Sequence, residues 1–382
     1  MPAILTLNAG SSSIKFSVYL AGEDPTEIAV GQIDGLGPSA KLILEHNREK
    51  TRRDLGETDH NSGVAAILKA VAPILGTAGV AGVGHRIVHG GIKYGDPVVL
   101  TDDIIEDLER LTPLAPLHQP HNLAAIRAAI EAFPDAVQVG CFDTGFHRGH
   151  PFVNDTYALP REYYEKGVRR YGFHGLSYDY ITGYIEKHHP ILHGGRIVIA
   201  HLGNGSSMCV VKGRQAIAST LGFSAVDGLP MGTRCGQLDP GVILYLLEQG
   251  LDRQEISDIL FKKSGLLGMS GISHDMRTLL ESNEPNAAEA VEYYVARVKR
   301  ELGALAATVH GLDAVVFAGG IGENAWQIRE RVIEGLNFLG LSIDKAANVH
   351  NAEIVSHGIT PILVVKTDEE RVIARAVAKK LT

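Results

Sequence analysis

The sequence predicts an α/β protein of two domains related by duplication, and three observations carry that expectation. Residues 197–213, IVIAHLGNGSSMCVVKG, read as a short β-branched strand, a polar glycine turn and a second strand. The backbone N–H groups of such a turn can face an anion without side-chain obstruction. Residues 4–19 repeat the arrangement, with Asn8-Ala9-Gly10-Ser11-Ser12-Ser13 between two apolar runs. Either hairpin alone is an ordinary turn between strands, but two copies half a chain apart indicate a repeat. The length, 382 residues, exceeds what one hydrophobic core usually holds.

The elements follow in order. Strands are expected over 27–33 and 41–44, and Ser62 caps a helix that runs to Leu75. A strand over 80–88 delivers Arg86 into a glycine-rich turn. Thr101 caps a helix over 102–110, PLAPLHQP at 113–120 leads into a helix ending near Phe133, and a strand over 137–142 stops at Asp143. Residues 151–172 lose periodicity, which puts the domain boundary there: residues 1–150, completed by 371–382, and residues 151–370. Ser177 caps a helix to about His188, and Asp239 with Pro240 opens another that Gly250 ends. Val291, Val295, Val298, Leu302, Leu305 and Val309 mark one face of the longest helix, 286–310. A buried strand over 314–318 enters Gly319-Gly320-Ile321-Gly322-Glu323-Asn324 and a further helix. A strand over 361–365 and a helix capped by Thr367 or Asp368 close the chain.

Composition excludes several classes. Hydrophobic residues make up 45%, charged residues 21%, and the net charge is −8, so a nucleic-acid backbone is not an expected partner and small anions must be attracted by local groups. Three cysteines, Cys141, Cys209 and Cys235, form no CxxC pair, which argues for a reducing compartment. With no signal-peptide pattern and no apolar run near the ~20 residues of a membrane span, a cytoplasmic protein with no membrane partner is expected.

Residues 320–325 satisfy the dinucleotide pattern GxGxxA, with Asp344 near the expected acidic position. Too few residues follow to build the further βα units that such a domain needs. A backbone platform for a nucleotide at a helix start is the better expectation. The GxxxxGK[ST] loop is absent, since the chain contains no Gly-Lys pair. Arg86 and Arg234 both sit in glycine-flanked turns; each alone is as readily structural as functional, but with Asn8, Lys15, Asp143 and His174 they form something more specific. Seventeen histidines invite a metal reading at His85 and His89, or at His147 and His150. No carboxylate or cysteine ligand set accompanies them at zinc spacing, so hydrogen-bonding roles are expected for them and an oxygen-based site for a divalent ion.

In order, LNAGSSSIKF (7–16), GHRIVHGG (84–91), PLAPLH (113–118), CFDTGFH (141–147), RYGFHG (170–175), HLGNGSS (201–207), MGTR (231–234), SHDMR (273–277), GGIGEN (319–324) and TDEE (367–370) resemble the acetate and propionate kinase family, within the actin, heat-shock chaperone and sugar kinase superfamily. The resemblance runs nearly end to end. It implies a duplicated ribonuclease-H-like (actin-like ATPase) fold with the active site in the cleft between two domains, homodimerisation, and reversible Mg2+-dependent phosphoryl transfer from ATP to acetate, giving acetyl phosphate and ADP, with propionate and Mn2+ as alternatives.

By that resemblance Asn8 and Glu369 hold the metal ion, as an amide oxygen and a carboxylate suit magnesium, and Lys15 offsets phosphate charge. Arg86 takes the acceptor carboxylate; Arg234 and His174 stabilise the transferring phosphoryl group. Asp143 is the family's catalytic aspartate. An acceptor carboxylate with a pKa of about 4–5 needs no base, so Asp143 reads as orienting the arginines or a metal-bound water. His201, Leu202, Gly203, Asn204 and Gly205, then Asp275, Met276 and Arg277, then Gly319, Gly320, Ile321, Gly322 and Glu323 bind the nucleotide. Val88, Leu117 and Phe173 line the acyl pocket. Glu370 reads as a charged first helical turn. Cys235, Gln237 and Ala225 depart from residues common in the family and leave substrate preference open. A hydroxyl-acceptor kinase and an ATP-driven conformational switch are the competing readings, neither of which needs two arginines converging on an acceptor.

Overall fold

The eight strands of the first sheet are β1 (Ala3–Ala9), β2 (Ser13–Leu20), β3 (Thr26–Asp34), β4 (Gly37–His46), β5 (Glu49–Thr58), β6 (Val80–Ile87), β7 (Val98–Val99) and β8 (Val137–Phe142), lying side by side as β5-β4-β3-β2-β1-β6-β8-β7. The second sheet has β9 (Arg196–Leu202), β10 (Ser206–Lys212), β11 (Gln215–Ser219), β12 (Ala314–Ala318) and β13 (Ile362–Val364), in the order β11-β10-β9-β12-β13. They come from a computed structural model that describes residues 2–10, 12–76, 78–116 and 118–382. Each sheet is the heart of one compact unit, the first ending at Phe146 and joined by Asp368–Thr382, the second spanning His147–Thr367.

The two sheets share a plan. In the first, β3, β2 and β1 are successively antiparallel, and β6 and β8 then run parallel to β1. In the second, β11, β10 and β9 are antiparallel and β12 and β13 run parallel to β9. Strand order and direction therefore match over five strands, which is the duplicated ribonuclease-H-like arrangement.

Both faces of β1 are buried, as a central strand beside a parallel neighbour requires. Leu5 and Leu7 join a core with Val64 and Ile67 of the helix His60–Leu75 and Ala125 and Ala129 of the helix Gln119–Ala132. The closing helix, Glu369–Leu381, packs on β1, β6 and β8. Gly84 lets it lie close: a Cβ there would stand 2.3 Å from Ile373 Cγ2. In the second unit Val291, Val295, Val298, Leu302 and Leu305 of the long helix, Pro285–Thr308, pack with Val198, Ala200, Val315 and Phe317 of the sheet, while Val309 is only partly buried.

Several local expectations are corrected. The helix over His60–Leu75 is capped by Asp59, whose side chain accepts from the Ser62 N–H; Ser62 occupies the third helical position and returns the bond, completing a capping box. His174, in the left-handed region at φ 58°, precedes the helix Gly175–His188, and Ser177 turns inward instead of capping. Residues 151–172 hold two short helices, Phe152–Asp155 and Arg161–Glu165. Strands β5 and β11 were not expected. Asn47 and Arg48, at φ 52° and 67°, make the tight turn into β5. Asp344 caps the short helix Lys345–Val349, a local structural role.

Candidate active site

In the first unit, three adjacent parallel strands end at one place. Asn8 lies near the end of β1, Arg86 near the end of β6, and Asp143 directly after β8, the location where open α/β sheets bind ligands. Arg86 donates from Nε to Asp143 Oδ1 (3.0 Å), from Nη2 to Asp143 Oδ2 (2.5 Å) and from Nη1 to Asn8 Oδ1 (2.9 Å). This fork fixes the guanidinium plane, which a lysine could not reproduce. Asp143 is 1% exposed. Glu369, at the start of the closing helix, stands 4.0 Å from Arg86 Nε. Burial alone would lower the Arg86 pKa, and the Asp143 and Glu369 carboxylates more than reverse this, so the side chain stays charged.

Lys15 is the cross-strand partner of Asn8 on β2 and is exposed. Val88 is buried, its N–H donating to Asn122 Oδ1 (3.0 Å), while Asn122 Nδ2 donates to the Ala9 carbonyl (2.7 Å). Leu117 falls outside the described residues. His85 meets Gln138, and the His89 ring accepts from Gly91, so hydrogen bonding accounts for both.

In the second unit, His174 and His201 stack with centroids 4.4 Å apart. His174 Nδ1 lies 2.8 Å from Ser207 Oγ, which also meets the Tyr178 hydroxyl; His201 Nδ1 lies 2.8 Å from Ser177 Oγ, which meets Thr367 Oγ1. Phe173 is buried beside them. The turn at 203–205 carries the loop of Arg234: the Gly232 N–H donates to the Asn204 carbonyl at 3.0 Å. Arg234 donates from Nη1 to the Ala225 carbonyl at 3.0 Å. Gln237 accepts from Arg297 and Arg300 of the long helix.

A cavity of about 950 Å³ within this unit gathers three of the segments singled out for nucleotide binding: Gly203 and Asn204, then Asp275, Met276 and Arg277, then Gly320 and Ile321. Its size suits a nucleoside with attached phosphates. His274, Leu280, Glu281 and Trp326 also line it and were not anticipated. His201, Leu202, Gly205, Gly319, Gly322 and Glu323 are not among its lining residues. Leu202 is wholly buried, and the Glu323 carboxylate accepts from the N–H groups of Gly319 (2.9 Å) and Thr367 (3.2 Å), tying the loop down from behind. The Asp275 carboxylate is engaged by Arg277, which holds it below the usual range.

The sequence pattern of the acetokinase family matches residues 3–375. The chain belongs to the acetokinase family. It is 48% identical to the acetate kinase of Methylocella silvestris, over 97% of this chain and 96% of that one. Among solved structures it resembles acetate kinase from Porphyromonas gingivalis (TM-score 0.89, 36% identity, all of both chains) and a propionate kinase from Francisella tularensis (TM-score 0.93, 32% identity, 98% of this chain and 99% of that one). Acetokinases are phosphotransferases with a carboxyl acceptor.

Sequence reasoning missed two side chains that shape this acetokinase's loops. Asn122 ties the residue after β6 to the end of β1. Arg329 is wholly buried with all five N–H groups used: Nε to Asn348 Oδ1, Nη1 to the carbonyls of Gly322 and Glu323, Nη2 to the Asn348 carbonyl and Asn351 Oδ1. Burial without a carboxylate partner lowers its pKa to about 10, so it remains a cation at neutral pH. Arg329→Met is expected to leave these acceptors without donors, destabilise the chain by about 2–4 kcal/mol, and weaken ADP binding severalfold in a Trp326 fluorescence titration. Unchanged melting and ADP affinity would show that the loop does not depend on it.

The first-unit cluster also fits a hard divalent ion. Its donors are all oxygens, Asn8 Oδ1 and the carboxylates of Glu369 and Asp143. Burial pushes the Glu369 carboxyl well above the usual range, Arg86 opposes this, and the Asp143 and Glu370 carboxylates add to the rise. Lys15 opposes the rise as well, and a divalent cation held by these oxygens would oppose it further.

Proposed function

We propose that the chain transfers the γ-phosphoryl group of ATP reversibly to acetate, giving acetyl phosphate and ADP, with Mg2+ as the divalent ion and Mn2+ able to replace it. The observation that carries this is the Arg86 fork. Three of the five N–H groups of a guanidinium are committed to Asp143 and Asn8, leaving two for an acceptor carboxylate in a fixed plane. Acetate is ionised at neutral pH and attacks without a base, so Asp143 orients Arg86 rather than removing a proton. An acetate oxygen bonds to the γ-phosphorus as the bond from that phosphorus to the β–γ bridging oxygen breaks, and the bridging oxygen leaves on ADP. Arg234 and His174 steady the equatorial oxygens, where the transferring charge sits. Asn8 and Glu369 would hold the ion, which supplies charge neutralisation on the phosphates. Lys15 adds a mobile positive charge, and the second-unit cavity takes the adenosine end.

The test is acetate-dependent release of ADP from ATP in the presence of Mg2+. Release that is equally fast without any carboxylate would favour the switch reading.

Acetate should be preferred, with propionate second. Val88 is buried with its backbone fixed by Asn122, leaving its branched side chain as a rigid wall. One methylene in such a pocket is worth about 1–3 kcal/mol. Val88→Ala is expected to shift the propionate to acetate ratio of kcat/KM by about tenfold or more toward propionate; an unmoved ratio would exclude Val88 from the pocket.

The chain is further proposed to work as a homodimer in the cytoplasm. The helix Pro240–Glu248 buries none of its residues and exposes Val242, Leu244, Tyr245 and Leu247 by 39, 62, 56 and 49%, a patch that a second copy would cover. Leu244→Glu is expected to yield monomer in sedimentation at micromolar concentration; an unchanged dimer would place the interface elsewhere. No helix among the described residues is long and apolar enough to cross a membrane, and the three cysteines form no disulfide.

A further inference from the structure

His147, His150 and Cys209 lie far apart in sequence and together in the second unit, each offering a ligand atom within 4.8 Å of the others. We propose that they form a site for a soft d10 cation, Zn2+ foremost, distinct from the oxygen-donor site of the first unit.

Cys209 is on β10 between Ile199 and Ser219, wholly buried, and its Sγ makes a long contact of 3.7 Å to the Val210 carbonyl. His150 closes a turn whose N–H donates to the His147 carbonyl (3.2 Å), so the two imidazoles come from one bend, with ring centroids 5.2 Å apart. Neither ring nitrogen of His150 touches solvent or has a hydrogen-bond partner among the described residues. A buried polar atom without a protein partner calls for an explanation, and a bound ion is one.

His147 is oriented as metal-binding histidines are. Its Nε2 lies 2.9 Å from the Phe173 carbonyl, which accepts a hydrogen bond and so requires the proton on Nε2 and the lone pair on Nδ1. Burial holds the pKa of His147 near about 3 and of His150 near about 4, so both rings are neutral donors at neutral pH. Arg148 and Arg170 both bear on His150, and Arg170 is paired with Asp227 at 3.0 Å.

Tetrahedral zinc, with Zn–N near 2.1 Å and Zn–S near 2.3 Å, sets its ligand atoms roughly 3.4–3.6 Å apart. A contraction of about an ångström, within reach of the His150 side chain, completes the site and leaves a fourth position open. Binding releases the thiol proton of Cys209 to solvent, and the thiolate offsets part of the metal charge. Because the His147 imidazole also carries the Phe173 carbonyl, metal here bears on the residue directly before His174.

Titrating the whole chain with Co2+ in excess Mg2+ tests this. The expected result is one Co2+ per chain with a thiolate-to-cobalt charge-transfer band and intense visible bands of a tetrahedral ion, displaced by Zn2+. Cys209→Ser and His150→Gln should each abolish the thiolate band while keeping acetate-dependent ADP release within twofold of wild type, and Cys235→Ser should keep the band. Absence of a thiolate band in the wild type, or its survival in Cys209→Ser, overturns the proposal. Should Cys209→Ser not fold, a full-strength band in His150→Gln overturns it alone.

Discussion

Replacing Arg234 with alanine is expected to lower kcat by about three to five decades, the range for a phosphoryl-stabilising arginine, while ADP affinity stays within a few-fold of wild type. The loop that carries Arg234 does not depend on its guanidinium. The Gly232 N–H is held by the Asn204 carbonyl, the Met231 N–H by the Arg234 carbonyl, and the Leu266 N–H by the Met231 carbonyl. Truncating the side chain removes the bonds to the Ala225 carbonyl and Met231 Sδ and the positive charge, but leaves these main-chain ties and the second-unit cavity. The loss therefore falls on the transition state, whose equatorial oxygens need a fixed cation. Near-wild-type turnover would remove Arg234 from the reaction.

Arg86→Ala is expected to lower kcat by about two to four decades and to raise KM for acetate at least tenfold, as its proposed role in binding the ground-state carboxylate and orienting it for attack requires. It should also destabilise the chain by about 3–5 kcal/mol, since Asp143 is left buried with its ion-pair partner gone. That penalty has a pH sign. Without Arg86 the Glu369 carboxyl, already raised by burial and now without the charge that most opposes this, has a folded pKa further above its unfolded one, so the variant loses stability as pH rises above about 4–5. Arg86→Lys should recover part of the stability and little of the turnover, because an ammonium cannot take Asp143 bidentately. A lysine variant with full activity would mean that charge alone suffices.

What could be read from the sequence follows from local physics. Residues 137–142 and 314–318 are apolar runs bounded by turn residues and match β8 and β12 in both bounds. Residues 49–58, EKTRRDLGET, are almost all exposed on an edge strand, so no alternation marks β5 and only the Asn47-Arg48 turn betrays it. Ser62 was misread because a capping box places a hydroxyl at either of its two ends. Arg86 and Asp143 could be placed because each stands at the end of an apolar run, where parallel strands deliver side chains to one edge. Arg329 could not, since a polar residue on a helix gives no sign that it faces inward and binds carbonyls. Cys209 could not be joined to His147 and His150, because their nearness is created by the tertiary fold and follows no sequence spacing.

The central claim is that an acetate oxygen, held by Arg86, receives the γ-phosphoryl group of ATP. Trapping the product with hydroxylamine during turnover with acetate, ATP and Mg2+ tests it most directly. Acetohydroxamate is expected in step with ADP, one for one. ADP released with no hydroxamate from acetate or propionate would contradict it.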